Sequence, residues 1–146
     1  MSKIDIVRLT KDRLSGVAFI EDQCFEEPWG EKSLELLIGE QGVAFVAIAS
    51  REVVAYGGMM TVLDEGQITN IATLPDFRRM GLGRRIMDAL ENFARANGIS
   101  MLSLEVRESN FAARSLYGSC GWTEEGIRKN FYRRPFENAV VMTKKL

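Results

Sequence analysis

The spacing of apolar residues changes period between residues 43 and 97, and this change limits the possible folds more than any other feature of the chain. VAFVAIA, VVAYGGMMTVL and QITNIATL are short apolar runs separated by the turn-forming SRE and DEG, which predicts three consecutive antiparallel strands. Pro75 closes the third run. After a short loop, Ile86, Met87, Leu90, Phe93 and Ala94 recur at helical spacing, and Gly98 supplies a stop.

The flanking segments extend the pattern. Ile4 and Ile6, with Leu9 beyond them, read as a strand, and Thr10 stands where a helix cap belongs ahead of Leu14, Val17, Ala18 and Cys24. EEPWGEKSLELLIG breaks at Pro28 and Gly30, then offers a short helix with Leu34, Leu37 and Ile38 on one side, stopped by Gly39. SMLSLEV, from 100 to 106, is a further strand. SNFAARSLYGSCG has a Ser/Asn start and a glycine end, and places Ala113, Leu116 and Tyr117 on what reads as a buried helix face. The tail from Trp122 to Leu146 reads as two strands joined around RRPFEN. The order βααβββαβαββ predicts a mixed α/β fold, and 146 residues that are 46% apolar predict one domain spanning 1–146.

Charge narrows the partners. The formal net charge is −1, so bulk electrostatics predicts no nucleic acid and no membrane among them, and any phosphate site must be local. The start MSKIDIVRLT has no apolar core behind a basic stretch, which predicts a cytoplasmic protein. With no histidine and only Cys24 and Cys120, no metal is expected, and both cysteines read as buried small hydrophobes in a reducing compartment.

RRMGLGRR, residues 78–85, is the candidate phosphate site. A helix N-terminus offers unpaired N–H groups and partial positive charge, and Gly81 and Gly83 let a ligand approach that backbone. Arg78, Arg79, Arg84 and Arg85 add guanidinium groups suited to phosphate oxygens. An ordinary turn with a solvated basic face is the alternative. A P-loop does not fit, because no Gly-Lys-Ser/Thr follows. A dinucleotide fingerprint fits poorly: Ile86 holds the third glycine position, and six residues from Pro75 to Met80 separate the loop from its strand.

NIATLPDFRRMGLGRRIMDAL resembles the acetyl-CoA motif of the GNAT superfamily of N-acetyltransferases, Arg/Gln-x-x-Gly-x-Gly/Ala, with Arg78, Gly81 and Gly83 in place. LEVRESNFAARSLYGSCGW resembles its second element, Asn-x-x-Ala-x-x-Leu-Tyr, at Asn110, Ala113, Leu116 and Tyr117. PWGEKS, LEVRESN and IRKNFYRRPFENAVVM are similar to the bacterial ribosomal-protein-alanine N-acetyltransferase branch, over about residues 4–143. Two positions depart from that branch: Gly30 stands where Ser usually follows Pro-Trp, and Asn138 where an acidic residue usually precedes the alanine.

The resemblance implies a mixed, mostly antiparallel central sheet with helices on both faces, whose strands near 67–74 and 100–106 splay apart to hold acetyl-CoA. It implies that the backbone of Ile71, Ala72 and Thr73 pairs with the pantetheine arm. It puts the pyrophosphate on the amides of Arg79, Met80, Gly81, Leu82, Gly83 and Arg84 beside Arg78, and a polar contact from Asn110 near the pantetheine. It makes Glu105 the general base and Tyr117 the donor to the departing sulfur. From residue chemistry alone, Glu105 could equally be a strand-end carboxylate paired to Arg107, Tyr117 a core residue, and Tyr132 either a substrate contact or hairpin packing.

Seven acidic residues between 20 and 40 (Glu21, Asp22, Glu26, Glu27, Glu31, Glu35, Glu40) face a single Lys32; they read as a solvated helix face or as an acidic rim that draws a cationic acceptor. Neutralising an acceptor at pH 7 costs about 1.4 kcal/mol for an α-amine and about 4.6 kcal/mol for a lysine. The expected acceptor, on the resemblance, is the N-terminus of an alanine-starting ribosomal protein. The alternatives are a small amine such as a polyamine or antibiotic, or a non-catalytic acetyl-CoA sensor, which would need neither Glu105 nor Tyr117.

Overall fold

The computed structural model describes residues 3–146. β1 (Ile4–Arg8) leads through a 3-10 turn into α1 (Leu14–Cys24) and α2 (Glu31–Leu34), which tightens into a 3-10 turn at Glu35–Ile38. β2 (Gly42–Ala49), β3 (Glu52–Val62) and β4 (Glu65–Thr73) follow, then α3 (Leu82–Ala96), β5 (Met101–Arg107), α4 (Phe111–Ser119), β6 (Thr123–Arg133) and β7 (Phe136–Lys145). The predicted order holds throughout. At its start, Thr10 caps the 3-10 turn rather than α1, and its hydroxyl bonds the Asp12 carboxylate instead of a backbone N–H.

One seven-stranded sheet runs β1-β2-β3-β4-β5-β7-β6, antiparallel except where β4 meets β5. Alternation along the strands sorts side chains between two faces. Leu82, Ile86, Met87, Leu90 and Ala94 of α3 pack on the face carrying Ala55, Met59, Leu102, Leu104 and Val106. Leu14, Val17 and Ile20 of α1, with Leu34 and Leu37, pack on the other face over Ala44, Val46 and Tyr56. α3 lies very close to the sheet at Gly57, where a Cβ would stand 2.6 Å from Ile86 Cγ2.

β4 and β5 pair at only three positions, Glu65↔Met101, Gly66↔Leu102 and Gln67↔Ser103. Past Gln67, β4 continues on β3 alone, while β5 stays on β7 from Met101 to Arg107. A bulge accompanies the parting. The β3–β4 register passes from Met59↔Ile68 to Gly57↔Ile71, which sets Thr69 and Asn70 against Gly58 and bends β4. The result is the expected splay.

Candidate active site

The glycine loop is shaped by left-handed backbone. After the 3-10 turn Pro75–Phe77, Arg79 has φ +65° and Gly81 has φ +75°, and α3 starts at Leu82 with no side chain capping it. The first amides of a helix lack intrahelical partners, so this N-terminus presents free N–H donors. The four arginines divide their work. Arg85 donates to the Ile4 carbonyl at 3.1 Å, and Arg78 donates through Nε to the Thr73 carbonyl at 3.1 Å and reaches Cys24 Sγ at 3.7 Å. Arg84, with Gly83, lines a cavity of about 140 Å³ between α3 and α4, walled also by Ile71, Met87, Leu116, Tyr117 and Cys120.

Leu74 N–H donates to Val54 toward β3, so alternation turns the backbone of Ala72 the same way and that of Ile71 and Thr73 toward the gap. Ala72 therefore has its backbone groups committed to β3. Asn110 is the N-cap of α4, its Oδ1 accepting from the Ala113 N–H at 3.1 Å.

Glu105 projects from the sheet face opposite Leu104 and Val106, into the region where β4 leaves β5. Arg107 is not its partner. Gln67 Nε2 donates to both Glu105 oxygens at 3.2 and 3.1 Å, and Arg128 Nε lies 3.5 Å from Oε1. Tyr117 approaches from the other face, tilted against Trp122 at 6.0 Å between ring centroids, and burial pushes its hydroxyl up to about 12, with a smaller push from Cys120. The rest of α4 corrects the sequence reading: it buries no residue fully, and Leu116 is exposed. Cys24 and Cys120 are likewise only partly buried, because each lies at the margin of a helix beside the site.

Arg107 turns to the β6–β7 turn. It donates to the carbonyls of Arg134 at 2.9 Å and Pro135 at 3.0 Å, pairs with Glu137 at 3.2 Å, and stacks 4.2 Å over the Tyr132 ring. Glu27 grips the same turn from the α1–α2 loop, accepting from the amides of Arg133 and Arg134 at 2.8 Å each. These two amides hold the Glu27 carboxyl below the usual carboxylate range. Tyr132 is pushed up to about 12, first by burial and then by Glu105, Glu137 and Tyr117, against a lowering from Arg107. It packs the hairpin, under the Arg107 guanidinium and edge-on to the Phe131 ring at 5.1 Å between centroids.

The acidic segment is not one rim. Glu21 is fully buried, its carboxylate accepting from the Trp29 N–H at 2.7 Å, from Asn70 Nδ2 at 2.9 Å and from the Tyr56 hydroxyl. Local sequence carries no signal for Gln67, Arg128 or the contacts of Glu21 with Tyr56 and Asn70, because each joins elements distant along the chain. Among the described residues, no group of three or more His, Cys, Asp or Glu side chains is placed to hold a metal, and no helix is long and apolar enough to cross a membrane.

Comparison with known proteins agrees with this geometry. The [Ribosomal protein bS18]-alanine N-acetyltransferase of Escherichia coli (strain K12) is 38% identical over 125 residues, 84% of each chain. Its counterpart in Haemophilus influenzae is 39% identical over 126 residues, covering 84% of this chain and 86% of the relative. The crystal structure of the Escherichia coli ribosomal-protein-S18-alanine N-acetyltransferase superimposes with a TM-score of 0.91 at 34% identity, over 98% of this chain and 94% of that one. The profile of the acetyltransferase (GNAT) family matches residues 14–122, and with the parted strands, the glycine loop and these relatives it establishes that the chain belongs to that family.

Proposed function

We propose that this chain transfers the acetyl group of acetyl-CoA to the N-terminal α-amine of a protein, and that the acceptor is a ribosomal protein whose processed chain begins with alanine. The observation that carries this reading is the gap itself, with Glu105 on one face and Tyr117 on the other where β4 leaves β5. Similarity to enzymes named for that acceptor supports the substrate.

The residues present fit the cosubstrate. Free amides at Leu82, Gly83 and Arg84 suit a pyrophosphate, the gap-facing backbone of Ile71 suits an amide-bearing arm, and the cavity beside Tyr117 adjoins both. Thr73 would join them once Arg78 releases its carbonyl for the phosphates. Asn110 holds the start of α4 beside them. Acetyl-CoA supplies, when bound, an activated acyl carbon and a thiolate leaving group.

The protein's part is proton management. Glu105 takes one proton from the acceptor ammonium, directly or through water, and passes it to solvent, a step that costs little for an α-amine. The nitrogen bonds the acyl carbon as the carbon–sulfur bond breaks; a second ammonium proton ends on the sulfur, and the third stays on the amide nitrogen. Tyr117 would donate a hydrogen bond to that sulfur. With its hydroxyl near 12 and a thiol near ~8.5, outright proton transfer from Tyr117 runs uphill by about 5 kcal/mol, so stabilisation of the thiolate is its main contribution.

Replacing Glu105 with Gln keeps the contact to Gln67 but removes the base. The expected loss in kcat is on the order of 10²- to 10⁴-fold with acetyl-CoA affinity unchanged. Full activity in Glu105→Gln would take Glu105 out of the reaction.

A further inference from the structure

The charge on Glu105 is balanced loosely. Its side chain is only 11% exposed, so it requires donors close at hand. Gln67 supplies one but carries no charge. The positive charge comes from Arg128 of β6, through Nε alone, at 3.5 Å, from a side chain that is 59% exposed. Other arginines hold on differently. Arg114 grips Glu124 with two nitrogens at 2.8 and 3.1 Å, and Arg107 adds two backbone carbonyls to its pair with Glu137. The Arg128 guanidinium also lies over the Phe131 ring, with 6.0 Å to its centroid. A long, single-point, solvated ion pair is readily exchanged.

We propose that Arg128 is a place-holder for the acceptor: it balances Glu105 in the free enzyme, and the acceptor's ammonium displaces it. The inference rests on the reading of Glu105 as the group that receives the amine. An α-amine with a pKa near ~8 arrives at pH 7 as the cation. Two cations on one half-enclosed carboxylate repel each other, whereas exchange of guanidinium for ammonium leaves the local charge unchanged. A neutral group brings no charge to replace the one it would expel. Arg128 thereby favours acceptors that are cationic on arrival, and sets a modest threshold that each must overcome.

The test is the affinity of an alanine-starting peptide for the enzyme saturated with CoA, a complex that cannot react, measured by calorimetry for the wild type, Arg128→Gln and Arg128→Lys. Removing the competing charge is expected to tighten peptide binding by about two- to five-fold, the worth of an exposed pair, and the lysine variant is expected to match the wild type. CoA affinity should not move. Unchanged or weaker binding in Arg128→Gln would overturn the proposal, as would equal tightening in both variants, which would make the effect one of shape rather than charge. Turnover by Glu105→Gln fails or upholds the base assignment separately, because the affinity measurement needs no catalysis.

Discussion

Tyr117 shows how burial sets a role for one side chain. Packed against Trp122 beside the cavity, its hydroxyl is pushed up to about 12, which suits the proposed role of hydrogen-bond donor and makes it a poor acid. Tyr117→Phe should therefore lower kcat by on the order of 10²-fold, the usual cost of one transition-state donor, with little change in KM for the peptide. The same shift has a consequence for stability. The unfolded chain gives up this proton from about pH 10 and the folded chain only near 12, so the native state loses stability as pH rises through that window. Thermal unfolding between pH 10 and 12 should show a shallower decline in Tyr117→Phe. The acid and the phenol were legible in the sequence from the motifs around them. Gln67 and Arg128 were not, since Gln67 stands 38 residues from Glu105 and meets it only through the β4–β5 pairing.

Among the elements, the β6–β7 turn is held by charged side chains from two sides. Glu27 accepts from its two amides and Arg107 donates to its two carbonyls, joining the α1–α2 loop, the end of β5 and the hairpin beside Tyr132. Glu27→Ala should raise the peptide KM by roughly three- to ten-fold while leaving acetyl-CoA affinity alone, and amide hydrogen exchange should quicken at Arg133 and Arg134. Acid should loosen the same contact. Because its folded value lies below the ordinary one, the contribution of Glu27 is complete above about pH 4.5 and is lost as pH falls through the folded value. The apolar periods revealed the order of the elements, but not this turn or the bulge at Thr69 and Asn70. Of the acidic residues between 20 and 40, Glu21 departs from a solvated helix face by burial against β3 and β4, and Glu27, though exposed, is drawn to the β6–β7 turn.

At the scale of the whole molecule, the fold is two helical layers on a sheet that opens along one seam, and buried polar groups tie the α1 layer to that seam. Glu21 joins α1, Trp29 and the bulge residue Asn70, and burial with its charge pushes the Tyr56 hydroxyl well above its ordinary value, keeping it a donor. Glu21→Ala strands three donors and should cost about 3 kcal/mol or more in unfolding free energy, measured by denaturant titration. The central claim, that the seam serves an N-terminal α-amine, is tested most directly with one acceptor peptide. It should start with alanine, carry an internal lysine, and be incubated with acetyl-CoA beside spermidine, with products resolved by mass. Acetylation at the peptide's α-amine alone is the expected result. Modification of the lysine, or spermidine turnover with the peptide untouched, would contradict it.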